Sequence, residues 1–185
     1  GSGYVATVRL DAGEWVTCTF TNVKLASLTV KKVVVPSPNS TQFRFDYPPV
    51  VMEIGESDLV TLSGLAPGTD RVTETVTSGW LLTGLACSDG NSYLSGTTAG
   101  YQLEPGEWVT CTFTNEMAGH VNLCKETVPD GNTTLFEFTG PSSSLLGDNQ
   151  CTTDHLPAGA HFYTETARTR WMAPQSLCSD SDSGG

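Results

Sequence analysis

Basic residues are scarce in this chain: nine Lys and Arg stand against twenty Asp and Glu, for a formal net charge of −11 at pH 7. Such a surface repels phosphate backbones and anionic headgroups, so neither nucleic acid nor an anionic membrane surface is an expected partner. Long apolar runs are missing too. No stretch approaches the roughly 20 apolar residues of a spanning helix, so membrane insertion is not expected. The N-terminus lacks the charged and apolar regions of a signal peptide, so the chain is expected to be mature or excised from something longer. Histidine is rare: His120, His155 and His161 stand in no metal or nucleophile spacing. There is no CxxC pair, no Gly-rich phosphate loop and no GxSxG elbow, so no metal, no cofactor and no turnover enzyme is expected. Helical periodicity is almost absent as well.

What is present is a repeat. The segment GEWVTCTFTN runs from Gly13 to Asn22 and recurs letter for letter from Gly106 to Asn115, an offset of 93 in a chain of 185 residues. The chain therefore holds about two copies of one unit in shifted phase. Residues 23–116 read as a complete unit. Residues 117–185 read as a second unit lacking its last strands, and residues 1–22 as a closing strand with no body before it. Placing the end of one chain before the start of another puts Cys178 and the residues after it ahead of Gly13 to Asn22. Cys87 precedes Gly106 to Asn115 in the same order.

Alternation of Val, Thr, Phe and Tyr between Gly, Pro, Asn and Asp clusters predicts an all-β chain. Strands are expected near 27–35, 42–47, 58–63, 70–77, 80–87, 99–103 and 107–114, with turns at 36–39, 66–69, 88–91 and 104–106. Seven short strands imply an Ig-like sandwich. In the second unit the pattern continues through 121–128, 135–138, 156–159, 161–167 and from Trp171 to Cys178. A short joint over 115–120 is expected to hold the units end to end as a rod.

Three polar residues occupy inward positions of otherwise alternating strands. Lys32 shares a face with Leu28, Val30 and Val34; Glu74 lies between Val72 and Val76; Asn115 continues the side of Val109, Cys111 and Phe113. Buried separately, each costs several kcal/mol, so the three are expected to meet. Lys31 is the alternative amine if the register slips by one. The second unit repeats the pattern as Lys125 and Glu165, and Asn22 ends the isolated strand in the register of Asn115.

The stretches LTVKKVVV, LAPGTDRVTET, SGW and VTCTFTN resemble prealbumin-like domains of bacterial surface proteins, similar to the collagen-adhesin B-type modules of Gram-positive pili and adhesins. Such modules often carry a self-formed amide between a first-strand Lys and a last-strand Asn, assisted by a central acid. That resemblance implies a Lys32–Asn115 bond with Glu74 assisting. For the second unit it implies Lys125, Glu165 and an Asn that this chain supplies at Asn22. In the expected chemistry, burial favours a neutral amine and a protonated carboxyl that polarises the carboxamide, and ammonia leaves. This is one self-directed turnover.

Six cysteines suggest disulfides in an oxidising compartment. Cys87 and Cys111 fall in one unit and are expected to pair. Cys124 and Cys151, facing Lys31 and Val60 in the repeat alignment, make a bond private to the second unit. Cys178 then needs Cys18. That pair, and Lys125 with Asn22, join different copies if residues 1–22 complete the second unit of a neighbour. The contact is head-to-tail and propagates into an extracellular filament, a homopolymer of this chain. Closure within one chain is disfavoured because the complete unit stands between the parts. The alternatives are one period of a giant tandem-repeat surface protein, with identical packing, and an adhesive module with a cell-surface or carbohydrate ligand. Trp15 and Trp108, like Trp80 and Trp171, recur at equivalent positions, which favours packing or contact between units. Asn39 and Asn132 open weak glycosylation sequons.

Overall fold

The computed structural model describes residues 3–179. Every regular element in that range is a strand, and no helix is long and apolar enough to cross a membrane. Residues 26–117 form two packed sheets. One takes the order β4-β1-β9-β6, from β1 (Ala26–Val35), β4 (Leu59–Leu65), β6 (Trp80–Cys87) and β9 (Trp108–Met117). The other runs β3-β2-β5-β8-β7, from β2 (Phe43–Tyr47), β3 (Val50–Ile54), β5 (Gly68–Thr75), β7 (Tyr93–Ser95) and β8 (Thr98–Leu103). All neighbours are antiparallel except β1 and β9, which run parallel with Lys32 opposite Phe113 and Val34 opposite Asn115.

The period-2 pattern of β1 and β9 explains the core. Leu28, Val30 and Val34 from one, and Val109, Cys111 and Phe113 from the other, are buried against Phe43, Phe45, Val72 and Tyr101. Phe45 meets Phe113 edge to face at 4.9 Å, and Phe43 meets Trp80 at 5.3 Å. At Gly100 a Cβ would lie 2.0 Å from the ring of half-exposed Tyr93, so any larger residue there would displace that ring.

Nine strands replace the seven expected. The sequence reading passed over Val50–Ile54, which follows Pro48 and Pro49. These prolines occupy the tight turn between β2 and β3, where Tyr47 pairs with Val50 and no ladder N–H is lost. It also passed over the short, exposed edge strand Tyr93–Ser95. The expected joint over 115–120 is mostly strand. Only Ala118 separates β9 from β10 (Gly119–Lys125), and its N–H donates to the Gly79 carbonyl at 2.9 Å.

The second unit keeps only the first half of this plan. Its strands are β10, β11 (Phe136–Thr139), β12 (Ser144–Leu146), β13 (Gln150–Leu156) and β14 (Thr164–Glu165). They form a two-stranded sheet β10-β13 and a three-stranded sheet β12-β11-β14. Register identifies their counterparts: Phe138 faces Glu165 as Phe45 faces Glu74, and Cys124 faces Cys151 as Lys31 faces Leu59. The position matching Cys151 is therefore Leu59, one residue before the expected Val60. Residues 171–178 carry no strand, against expectation, and among the described residues nothing pairs with β10 on the flank where β9 lies beside β1. The buried core shrinks to Phe136, Phe138 and Leu146, with Leu123 and Trp171 packed on it.

Residues 3–25 also form no strand, and almost every side chain there is exposed, Trp15 at 98%. Their turn is nonetheless in place. Asp11 N–H donates to Glu14 Oε2 at 3.0 Å and Glu14 N–H to the Asp11 carbonyl at 3.1 Å. Glu104 and Glu107 do the same at 2.8 and 3.1 Å ahead of β9. Gly13 (φ 83°) and Gly106 (φ 79°) supply the left-handed residue in each turn.

Candidate functional site: two lysine–glutamate pairs

The alternation of β1, β5 and β9 brings Lys32, Glu74 and Asn115 together inside the complete unit, at 0%, 1% and 0% exposure. Lys32 Nζ donates to Asn115 Oδ1 at 2.5 Å and to the carbonyls of Val33 and Phe113 at 3.3 Å each. Asn115 Nδ2 donates to Glu74 Oε1 at 2.6 Å, and Lys32 Nζ lies 4.0 Å from that same oxygen. The ammonium also sits 4.1 Å from the centre of the Phe43 ring. Lys31 is exposed on the opposite face, so the register selects Lys32 as the interior amine.

Burial sets the protonation of the pair. Desolvation pulls Lys32 down to about 8 against the opposing charge of Glu74. It raises Glu74 against the opposing influence of Lys32 and the Asn115 hydrogen bond. Glu74 Oε2 is buried with no hydrogen-bond partner, an arrangement that favours the neutral carboxyl over an unpaired charge. The carboxyl faces the carboxamide nitrogen. The expected acid is thus in hydrogen-bond contact with the carboxamide through its nitrogen, while the lysine holds its oxygen.

The second unit reproduces most of the set. Lys125 Nζ lies 3.3 Å from Glu165 Oε2, and 4.4 Å over the Phe136 ring as Lys32 lies over Phe43. Trp171 meets Phe136 edge to face at 5.0 Å, matching Trp80 on Phe43. Among the described residues no asparagine stands between this lysine and glutamate, and their side chains keep 12% and 10% exposure. Asn22 lies on the exposed N-terminal segment.

Cys87 bonds Cys111 and Cys124 bonds Cys151, each directly across two neighbouring strands. Cys18 and Cys178 are free and exposed. The tryptophans divide: Trp80 and Trp171 pack, whereas Trp108 is 75% exposed, so packing does not account for all four. Sequence reasoning missed Phe43 and Phe136 as the rings beneath the amines. Their signal was the repeated F-x-F of 43–45 and 136–138.

Residues 50–117 match a family described as the prealbumin-like fold domain, a stretch lying within the complete unit. The resemblance read from the sequence holds over that stretch, and the described residues are all-β. Among solved structures, the Bacillus anthracis TIE protein is 18% identical with a TM-score of 0.35, over 77% of this chain and 28% of that one. A Streptococcal ancillary pilin is 15% identical with a TM-score of 0.38, over 88% of this chain and 61% of that one. The chain thus spans less than two thirds of either. No curated protein matches it.

Proposed function

We propose that this chain is a structural segment of an extracellular surface filament or stalk, in which residues 1–22 of one copy close the unit begun at residue 117 of the next. The observation that carries this reading is the vacant flank of β10, considered with the ten-residue identity between Gly13 to Asn22 and the strand that fills the same flank of β1. Transferring the β1–β9 register sets Val16 opposite Val121, Cys18 opposite Leu123, Phe20 opposite Lys125 and Asn22 opposite Thr127. Val16, Phe20 and Asn22 then enter a core that lacks them. Cys18 comes to Cys178 as Cys111 comes to Cys87.

Covalent locking follows in both units. The neutral Lys amine attacks the Asn carboxamide carbon, the Glu carboxyl relays the amine's proton to the departing nitrogen, and one ammonia leaves for each amide formed. Glu74 serves Lys32 and Asn115 within the chain, and Glu165 serves Lys125 and Asn22 between chains. Load along the filament then passes through amides and disulfides in place of the hydrogen-bond ladder.

The test mixes isotopically labelled and unlabelled chain, then maps peptides after boiling in SDS and reduction. A branched Lys125–Asn22 peptide of mixed label, lighter by one ammonia, is expected. A branched peptide of single label only would place closure inside one chain, and its absence beside an intact Lys32–Asn115 branch would sink strand exchange. A continuous peptide from Gly185 into Gly1 in native material would assign the same packing to one tandem-repeat polypeptide. The exposed Trp108 favours a second reading, an adhesive face that stacks on sugar rings. Quenching of Trp108 fluorescence by oligosaccharides would support it.

A further inference from the structure

The outward face of β10 and β13 carries a second constellation that the strand-exchange reading does not use. Their register makes Cys124–Cys151, Asn122–Thr153 and His120–His155 three successive facing pairs on that side, while Val121, Leu123 and Lys125 turn to the core. The Cα separation of the cysteine pair, 4.1 Å, marks these as the closely spaced pairs of an antiparallel ladder, where facing side chains come nearest. The two imidazoles accordingly stand 4.5 Å apart between ring centres at 79°. Both are exposed, and neither hydrogen-bonds another side chain among the described residues. His161 differs, since its Nε2 is engaged with the Pro157 carbonyl at 2.8 Å.

The pair is private to the second unit. Its counterparts in the complete unit are Ser27 and Ser63, just as Lys31 and Leu59 stand where Cys124 and Cys151 form their bond. The next pair along is shared in kind: Thr29 and Thr61 hydroxyls meet at 3.0 Å, and Thr153 donates to Asn122 at 3.2 Å. The replacements thus fall at the two ends of the one sheet that has only two strands. An isolated two-stranded sheet is marginal in water, and the disulfide ties only one of its ends. The histidines lie at the other, two residues beyond Ala118.

We propose that His120 and His155 form a cross-strand clamp for a divalent transition metal that favours imidazole, Cu(II), Ni(II) or Zn(II). Each histidine gives one ring nitrogen, and water fills the remaining positions. Among the described residues no group of three or more His, Cys, Asp or Glu gathers at one point, so the protein supplies two ligands and the order of affinity follows the metals, with Cu(II) tightest. Bound metal ties β10 to β13 at the junction end and holds the flank of β10 in place for an incoming strand.

The experiment titrates CuCl2 and NiCl2 calorimetrically into metal-stripped full chain carrying Cys18→Ser and Cys178→Ser, which removes the exposed thiols as competing ligands. One equivalent is expected to bind. His120→Asn or His155→Asn should each weaken binding at least tenfold, and His161→Asn should leave it unchanged. Electron paramagnetic resonance of the Cu(II) adduct of the unsubstituted-histidine chain should show two equatorial nitrogens, a readout independent of whether the variants fold. Binding that survives either substitution, a single coordinated nitrogen, or no saturation at millimolar metal would overturn the clamp. None of these outcomes depends on strand exchange.

Discussion

The complete and the open unit hold the same lysine, glutamate, phenylalanine and tryptophan in the same register, yet the two amines live in different surroundings. In the complete unit Asn115 lies between Lys32 and Glu74, which stay 4.0 Å apart and out of solvent. In the open unit Lys125 closes directly on Glu165 at 3.3 Å, with both groups still reaching water. The difference traces to one strand. β9 contributes the asparagine and also Phe113, whose ring packs on Phe45 and whose carbonyl accepts from the amine. Without such a strand the pair is a salt bridge that still reaches water, and with it a fully desolvated, hydrogen-bonded trio.

The largest effect that sharpens this contrast comes from removing each acid. Glu74→Ala should cost about 3–5 kcal/mol, because it strands a buried lysine, and should abolish the loss of ammonia from Lys32 and Asn115. Glu165→Ala should cost less than Glu74→Ala in the isolated chain, because Lys125 still reaches water and can stay solvated without its partner. Urea unfolding with intact-mass measurement reads both. Lys31→Ala should leave the ammonia loss untouched, and an effect as large as that of Lys32→Ala would mean the register is wrong.

Next in size are the disulfides. They close loops of 24 and 27 residues, so each should contribute about 3 kcal/mol. The complete unit has a broad core to fall back on, and the open one has Phe136, Phe138 and Leu146. Reduction should therefore melt residues 117–179 while residues 26–117 stay folded, as hydrogen exchange would report. Simultaneous loss of both would show that the smaller core is not the weaker.

The smallest expected effect is a slope with pH. Lys32 titrates near 8 when folded and near 10.5 when unfolded. Below 8 the amine is protonated in both states, and between the two values only the unfolded chain holds the proton. In Asn115→Ala, which cannot close the amide, stability should thus rise with pH from about 8 toward 10. In the native chain the rate of ammonia loss should climb as pH approaches 8, where the neutral amine accumulates. A rate that is flat over this range would remove the neutral amine from the mechanism.

Much of the trio was legible because period-2 alternation is a local property. Lys32, Glu74 and Asn115 each break an apolar face, and a broken face is visible in one strand without its partners. The disulfides followed from the repeat. Val50–Ile54 was missed because prolines precede it, and Gln150–Leu156 because polar residues fill both of its faces. Losing that second strand also hid the histidine pair, whose members lie far apart in sequence and meet only through the β10–β13 register.

The N-terminal segment separates the two kinds of information. Its turn at Asp11 to Glu14 forms as it does at Glu104 to Glu107, since a glycine and a short side-chain-to-backbone bond suffice. The eight residues that follow, Trp15 to Asn22 and Trp108 to Asn115, are identical in both places, yet they are a paired strand after Gly106 and unpaired chain after Gly13. By itself the sequence determined the turns, the alternating faces, the repeat and the all-β class, which depend on neighbours a few residues away. Only the tertiary structure decided which identical segment became a strand, which lysine was desolvated and which histidines met. Ladder hydrogen bonds and burial need partners that local sequence does not supply.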